Sequence, residues 1–206
     1  STYRRLGLDG EDELIGAGVH FCATCDGPFY RGKDVLVVGG GNSAGEESLF
    51  LARFADSVTI VTRDDQLKAS AVVRTKVEST DGVDVVTGAT PVGFEQRDGR
   101  FAGLVVECDG EKQTLAADGA FVFIGLTPNT SVVADLVDLD DRGFVAAGAG
   151  MQTSMPGVFV AGDVRSGSTK QAASAAGEGA AAALAIRRYI EPLASGLAPM
   201  HGAEQA

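Results

Sequence analysis

Asp34-Val35-Leu36-Val37-Val38 runs directly into Gly39-Gly40-Gly41-Asn42-Ser43-Ala44. A short, unbroken apolar run is what a strand buried on both faces of a parallel sheet requires. Behind the glycines, Ala44, Leu51, Ala52 and Ala55 recur at helical spacing, which predicts a helix over residues 43–55. The junction thus carries Gly39-x-Gly41-x-x-Ala44 between a strand and a helix. In that setting the first glycine permits a tight turn and the second lets backbone approach a pyrophosphate. The small third residue lets helix pack on strand. Free N–H groups and the positive dipole end of the helix complete an anion site. A Gly-rich turn with no ligand, capped by Asn42 and Ser43, would use the same residues; the strand before and helix after favour a nucleotide.

The pattern continues outward from this turn. Val58–Val61 predicts a second strand, residues 69–79 a second helix and Val83–Val86 a third strand, so the unit is βαβαβ. Val92–Glu95, Phe101–Glu107 and Lys112–Leu115 then predict an antiparallel meander, its turns marked by Asp98-Gly99 and Asp109-Gly110. Ala120–Gly125 predicts one more buried strand. After Pro128, Gly143–Ala147 and Gly157–Asp163 predict strands, residues 169–190 a long Ala-rich helix, and Pro192–Ala206 a frayed tail. Residues 1–20 show no clear period.

Composition bounds the function. Of the 206 residues, 45 % are apolar and 22 % charged, as in folded globular domains, which excludes a wholly disordered chain. A net charge of −11 with no basic run argues against nucleic acid and anionic membrane as partners. No apolar run approaches the ~18–20 residues that span a bilayer. No apolar stretch follows Ser1–Arg5, so no signal peptide is expected and a cytoplasmic location is. The first residue is not Met, so a processed product or a fragment is expected.

Three cysteines are no disulfide framework, and with His20 and His201 they make no closed zinc site, so no metal is expected. Cys22-Ala23-Thr24-Cys25 has the spacing of a small redox-active disulfide ring, and Asp26 follows it. An acid beside a leaving thiolate is placed to protonate it. A plain turn with two buried thiols and half a zinc knuckle are the alternatives. Cys108 reads as an ordinary semi-buried cysteine. Beyond the second strand, Thr62-Arg63-Asp64-Asp65 and Lys68 bear on the coenzyme. Arg63 and Lys68 suit a 2′-phosphate, hence NADPH, whereas the two aspartates oppose it. Finally, Gly162-Asp163 closes an apolar run, where a carboxylate suits a polyol hydroxyl. Lys170-Gln171-Ala172 opens a helix whose N–H groups suit an electron-rich carbonyl.

Taken in order, Cys22–Gly27 (C-A-T-C-D-G), Gly39–Ala44 (G-G-G-N-S-A), Ile124–Asn129 (I-G-L-T-P-N), Thr153–Asp163 (T-S-M-P-G-V-F-V-A-G-D) and Lys170–Gly179 (K-Q-A-A-S-A-A-G-E-G) resemble the low-molecular-weight thioredoxin reductases over nearly the whole chain. The resemblance implies a flavoprotein that takes hydride from NADPH and passes electrons through FAD to the cysteine pair, then to a small thioredoxin-like redox protein. It implies that Cys25 lies next to the flavin, that Cys22 attacks the partner disulfide and that Asp26 donates the proton. It places Asn42, Ser43 and Glu46, with Gly39, Gly41, Ala44 and Ile124, at the coenzyme site, and Arg63 and Lys68 at its 2′-phosphate. It places Gly162, Asp163, Lys170, Gln171 and Ala172 at FAD, and implies a homodimer. Thr62-Arg63-Asp64 and Lys68 depart from the family's H-R-R-x-x-x-R, and Lys170 stands where Arg is usual. Cys25–Tyr30, Lys76–Val85 and Lys170–Gly179 also resemble the NADH-using flavoprotein subunit of alkyl hydroperoxide reductase, a peroxiredoxin reductase and the runner-up.

The family begins with another G-x-G-x-x-G, which Ser1–Leu8 does not supply. The expected architecture is therefore α/β with two Rossmann-like, three-layer ββα nucleotide-binding domains, one intact and one partial. Residues 1–8 would end the first FAD-domain segment, 9–125 would form the NAD(P) domain with the Cys-x-x-Cys site, and 126–206 would be the C-terminal FAD segment with a flexible tail. Two short connections would let one domain swing against the other. A truncated, non-catalytic nucleotide-binding module is the remaining alternative.

Overall fold

The computed structural model describes residues 1–194; the part of the expected tail from residue 195 on lies outside them. In chain order the elements are β1 (Thr2–Tyr3), α1 (Glu11–Leu14), β2 (Val19–His20), α2 (Ala23–Asp26) and a 3-10 turn at Gly27–Tyr30. Then come β3 (Asp34–Val38), α3 (Asn42–Leu51), β4 (Ser57–Val61), α4 (Ala71–Glu78) and β5 (Val83–Val86). The meander is β6 (Thr90–Arg97), β7 (Arg100–Cys108) and β8 (Glu111–Ala116), followed by β9 (Gly119–Val122), β10 (Leu126–Thr127) and α5 (Ala172–Ala194).

Five strands form a parallel sheet in the order β2-β9-β3-β4-β5, and β6-β7-β8 form a separate antiparallel sheet. The central strand β3 pairs with β4 (Val35↔Val58, Val37↔Ile60) and with β9 (Val35↔Gly119, Val37↔Phe121). Because side chains alternate along a strand, each strand feeds two cores. Val35, Val37, Val58, Ile60 and Phe121 bury against Leu51 of α3 and Val73 and Val77 of α4. Leu36, Val38, Val61, Ala120 and Val122 bury against Phe101, Leu104 and Val106 of the meander. The layers are thus helices, parallel sheet and antiparallel sheet, as the sequence pattern predicts.

The chain divides into two compact units, Tyr3–Gly125 and Ser1–Thr2 with Leu126 onward. The division groups Tyr3–Leu8 with the sheet, where the sequence reading put residues 1–8 with the flavin segments. The second unit has a small core of Val137, Val145 and Val160 with Val133, Leu139 and Val158 around it. Neither predicted strand forms there. Val145 makes isolated bridges to Leu139 and Arg165, and Phe159 makes one to Gln152. The backbone is satisfied by turn bonds instead, such as Val160 N–H to Met151 O and Val158 N–H to Met155 O. A strand needs successive pairs along a neighbour, and among the described residues none lies alongside. The predicted 169–190 helix runs over Ala172–Ala194 and carries Pro192 in its last turn.

Candidate functional site

Cys22 and Cys25 are joined as a disulfide, with Cα atoms 5.3 Å apart. The local fold makes this spacing natural. Cys22 has extended backbone and caps α2, its Sγ accepting from the Cys25 N–H at 3.1 Å. One helical turn then brings Cys25 back over it. Cys25 is exposed and Cys22 half-buried. Asp26 closes the same turn, its N–H donating to Cys22 O. The structure adds two residues that the sequence reading left out of the chemistry. His20, at the end of β2, places Nδ1 3.3 Å from Asp26 Oδ2. Its Nε2 lies 2.6 Å from the Tyr30 hydroxyl. Burial pulls the His20 pKa below its usual value, although Asp26 opposes this. Burial, reinforced by Asp26, pushes the Tyr30 phenol up to about 12. The usable signal was a histidine two residues ahead of a Cys-x-x-Cys-Asp, which the sequence reading weighed only as a zinc ligand.

The Gly-rich turn between β3 and α3 lies in the same unit. Gly39 has φ +147°, and a Cβ there would sit 2.5 Å from Phe123 O and 3.2 Å from the Ala44 methyl. Only glycine fits so close to backbone with that φ. A Cβ on Gly41 would meet nothing within 4 Å, so a ligand has open approach to that backbone. Helix α3 begins at Asn42 with Gly41 as its cap and no side-chain capping bond, which leaves its first N–H groups without that partner. Asn42 and Ser43 are thus inside the helix and cap nothing. Asn42 Oδ1 instead accepts from the Ser70 N–H at 2.6 Å, pinning the loop before α4. Glu46 is exposed on α3, and Ile124 is half-buried beside the meander core.

Beyond β4 the two expected phosphate ligands differ. The Arg63 side chain is exposed and makes no ion pair with a described residue. The Lys68 ammonium pairs with Asp64 at 2.7 Å. Asp64 also turns back on β4, its N–H donating to Thr62 Oγ1.

In the second unit Asp163 Oδ1 is buried with no hydrogen-bond partner among the described residues. An unsatisfied buried carboxylate oxygen is costly, and a ligand hydroxyl would relieve it. The turn that holds it is braced. Gly162 N–H donates to Glu178 Oε2 at 2.8 Å, and Arg165 grips both oxygens of Glu178. The Arg165 hydrogen bonds hold the Glu178 carboxyl down at about 2. Lys170, with φ +59°, folds its ammonium onto Asp163 O at 2.6 Å and Arg165 O at 3.0 Å. Gln171 is half-buried just ahead of α5, and Ala172 is exposed as its first residue. The residues present therefore suit a polyol hydroxyl at Asp163 and a phosphate at the Gly39–Ala44 turn.

The sequence pattern described as pyridine nucleotide-disulphide oxidoreductase matches residues 1–179. The chain belongs to this family. Thioredoxin reductase of Listeria monocytogenes is 39 % identical over 199 residues, covering 96 % of this chain and 62 % of that protein. The bifunctional thioredoxin reductase/thioredoxin of Mycobacterium leprae is 44 % identical over 193 residues, 92 % of this chain and 42 % of that protein. Among solved structures, thioredoxin reductase from Streptococcus pyogenes superposes with a TM-score of 0.86 at 38 % identity, over 92 % of this chain and 63 % of that one. The Giardia duodenalis thioredoxin reductase gives 0.84 at 33 % identity, over 91 % and 62 %. This chain thus spans about three fifths of the length of these single-function reductases. No described helix is long and apolar enough to cross a membrane.

Proposed function

We propose that the chain carries the coenzyme and disulfide parts, and some of the flavin part, of a thioredoxin-disulfide reductase. The observation behind this reading is the Cys22–Cys25 disulfide, with Asp26 next to it, in one compact unit with an open Gly-rich strand–turn–helix. In this reading Gly39, Gly41, Asn42, Ser43, Ala44, Glu46 and Ile124 hold the nicotinamide coenzyme. Gly162, Asp163, Lys170, Gln171 and Ala172 hold FAD. When bound, FAD supplies a ring that accepts a hydride and gives up electrons in pairs. Once the pair is a dithiol, the Cys22 thiolate attacks one sulfur of the partner disulfide and the other partner sulfur leaves. Asp26 gives that sulfur a proton. Cys25 then attacks Cys22 Sγ and breaks the Cys22–partner bond, and the proton of its thiol goes to the departing partner sulfur, which restores the Cys22–Cys25 disulfide and frees the partner as a dithiol.

The partner in this reading is thioredoxin or a similar small redox protein, the assembly a homodimer and the compartment the cytoplasm. The electron donor is NADPH, with Arg63 on its 2′-phosphate. A second reading, NADH, is favoured by one observation: Lys68 is already neutralised by Asp64.

A trapping experiment tests the function. A thioredoxin with a single active-site cysteine is loaded as a mixed disulfide with thionitrobenzoate. The Cys25→Ser chain should then displace thionitrobenzoate and become covalently joined through Cys22, at least tenfold faster than the Cys22→Ser chain. Equal rates for the two variants would overturn the assignment.

A further inference from the structure

Asp26 does not stand alone. Its Oδ2 faces His20 Nδ1 at 3.3 Å, and His20 Nε2 faces the Tyr30 hydroxyl at 2.6 Å. The three side chains form a line from the disulfide turn into the core. The inner end is rigid. Tyr30 is 7 % exposed, and its ring packs edge-on against Phe121 at 5.3 Å. It also lies over Gly119, where a Cβ would stand 2.4–2.5 Å from three of its atoms. A side chain at position 119 would therefore displace the tyrosine. His20 is fixed from both sides by Tyr30 and Phe121, with ring centroids 5.3 and 5.2 Å away. Its backbone is set by the β2–β9 register, which places His20 opposite Phe121.

We infer that Tyr30 and His20 are positioning residues for Asp26: the Tyr30 hydroxyl donates to His20 Nε2, so that Nδ1 carries the ring proton and donates it to Asp26 Oδ2. This leaves the other carboxyl oxygen to exchange a proton with the sulfurs. The inference rests on the proposed proton role of Asp26. The direction of each bond follows from chemistry. The proton that Asp26 exchanges sits on its other oxygen, so Oδ2 accepts whether the group is charged or not and Nδ1 is the donor; a neutral ring then has a bare Nε2 that can only accept. Tyr30, with its phenol held up at about 12, is a hydrogen-bond donor throughout the physiological range. The ring is kept neutral by burial, which outweighs the pull of Asp26. The charged groups acting on this line are Asp26 from α2, and Arg100 of β7 and Asp118 near Tyr30, with Lys33 over the Tyr30 ring at 5.4 Å.

The test uses the 206-residue chain and two readouts. The first is the imidazole nitrogen-15 spectrum at pH 7. The native chain should show neutral His20 protonated on Nδ1, and Tyr30→Phe, which keeps the ring, should turn it into a tautomer mixture. An imidazolium, or a ring protonated on Nε2, in the native chain overturns the proposal. The second is the rate at which dithiothreitol opens Cys22–Cys25, expressed per dithiothreitol thiolate between pH 5 and 9. Asp26→Asn should slow it. His20→Phe, which keeps an aromatic ring there, should act in the same direction by roughly 2–10-fold, the equivalent of one hydrogen bond. His20→Gln, whose amide can still donate, should recover most of that loss. If Asp26→Asn slows the reaction and His20→Phe does not, the positioning role alone fails. If Asp26→Asn moves nothing, the proton role of Asp26 fails and this inference with it.

Discussion

Val35–Val38 and Val158–Val160 are both short apolar runs, and they end differently. The first sits in a sheet with a paired strand on each side, β9 and β4, and its residues are 3 % exposed or less. The second makes a single bridge, Gln152 with Phe159, and Val158 and Phe159 stay half-exposed. The helices repeat the contrast. In α3, Ala44 and Leu51 are completely buried, whereas α5 leaves Leu184 56 % and Ile190 51 % exposed. An apolar run states only that a segment favours burial; the strand comes from neighbours that can continue its ladder. The Tyr3–Gly125 unit holds its own neighbours. The Leu126–Ala194 stretch, among the described residues, has turn bonds, a three-residue core and an unpartnered buried carboxylate oxygen at Asp163.

The largest effect that follows concerns flavin. The described residues offer one Gly-rich strand–turn–helix, and it belongs to the Tyr3–Gly125 unit. Asp163 and the start of α5 can serve the polyol and ring of FAD but offer its pyrophosphate no comparable cradle. Two or three missing charge-assisted hydrogen bonds, at ~1.5–3 kcal/mol each, would weaken binding by several orders of magnitude. The 206-residue chain, purified and scanned in the visible range, should carry far less than one FAD per chain. Stoichiometric flavin would break the contrast between the two regions, because the second would then be a complete site.

Coenzyme binding tests the other half of the comparison. If Tyr3–Gly125 is self-sufficient, calorimetry should detect NADPH without any flavin. Arg63→Ala should then weaken NADPH by ~1.5–3 kcal/mol and leave NADH within a few tenths of its native value. Asp64→Ala releases Lys68 from its 2.7 Å ion pair and should tilt the preference further toward NADPH. Tighter binding of NADH than NADPH by the native chain would assign the site to NADH, with Asp64 as its ribose acceptor.

Much of the sheet unit was legible because its signals are local. Strand β3, the glycines after it and the two Asp-Gly turns lie in order along the sequence, and period and turn chemistry are enough to place them. The pairing of Cys22 with Cys25 was legible for the same reason. What escaped depends on contacts between distant positions or on rotamers. Asn42 looked like a cap, but it is bonded to Ser70, 28 residues on. Lys68 looked free for phosphate, but four residues back Asp64 takes it. His20 and Tyr30 meet because α2 and the 3-10 turn fold the chain back onto β2, a geometry that no periodicity encodes. The strands assigned to Gly143–Ala147 and Gly157–Asp163 failed through the missing ladder.

The smallest predicted effect is a pH dependence confined to the second region. Its Gly162-Asp163 turn is held by Glu178, which accepts from Gly162 N–H and from Arg165. The carboxyl is held near 2 against an ordinary 4.5. A folded-state value below the unfolded one means that the unfolded chain takes up the proton first as pH falls. The contribution is therefore complete above about pH 4.5 and is lost progressively toward pH 2. It amounts to roughly 1.5 kcal/mol, the lower end of what hydrogen bonds to a charged group contribute. The Gly162 amide is the local reporter. Its hydrogen exchange, corrected for the intrinsic pH dependence, should accelerate between pH 4.5 and 3, while amides of β3 stay protected. Arg165→Met should produce the same acceleration at pH 7. The Arg187–Glu191 pair is the built-in control: its side chains are 73 % and 57 % exposed, so Arg187→Met should change protection by less than ~0.5 kcal/mol. If both substitutions act equally on Gly162, the brace is not specific, and the second region owes its order to α5 as a whole.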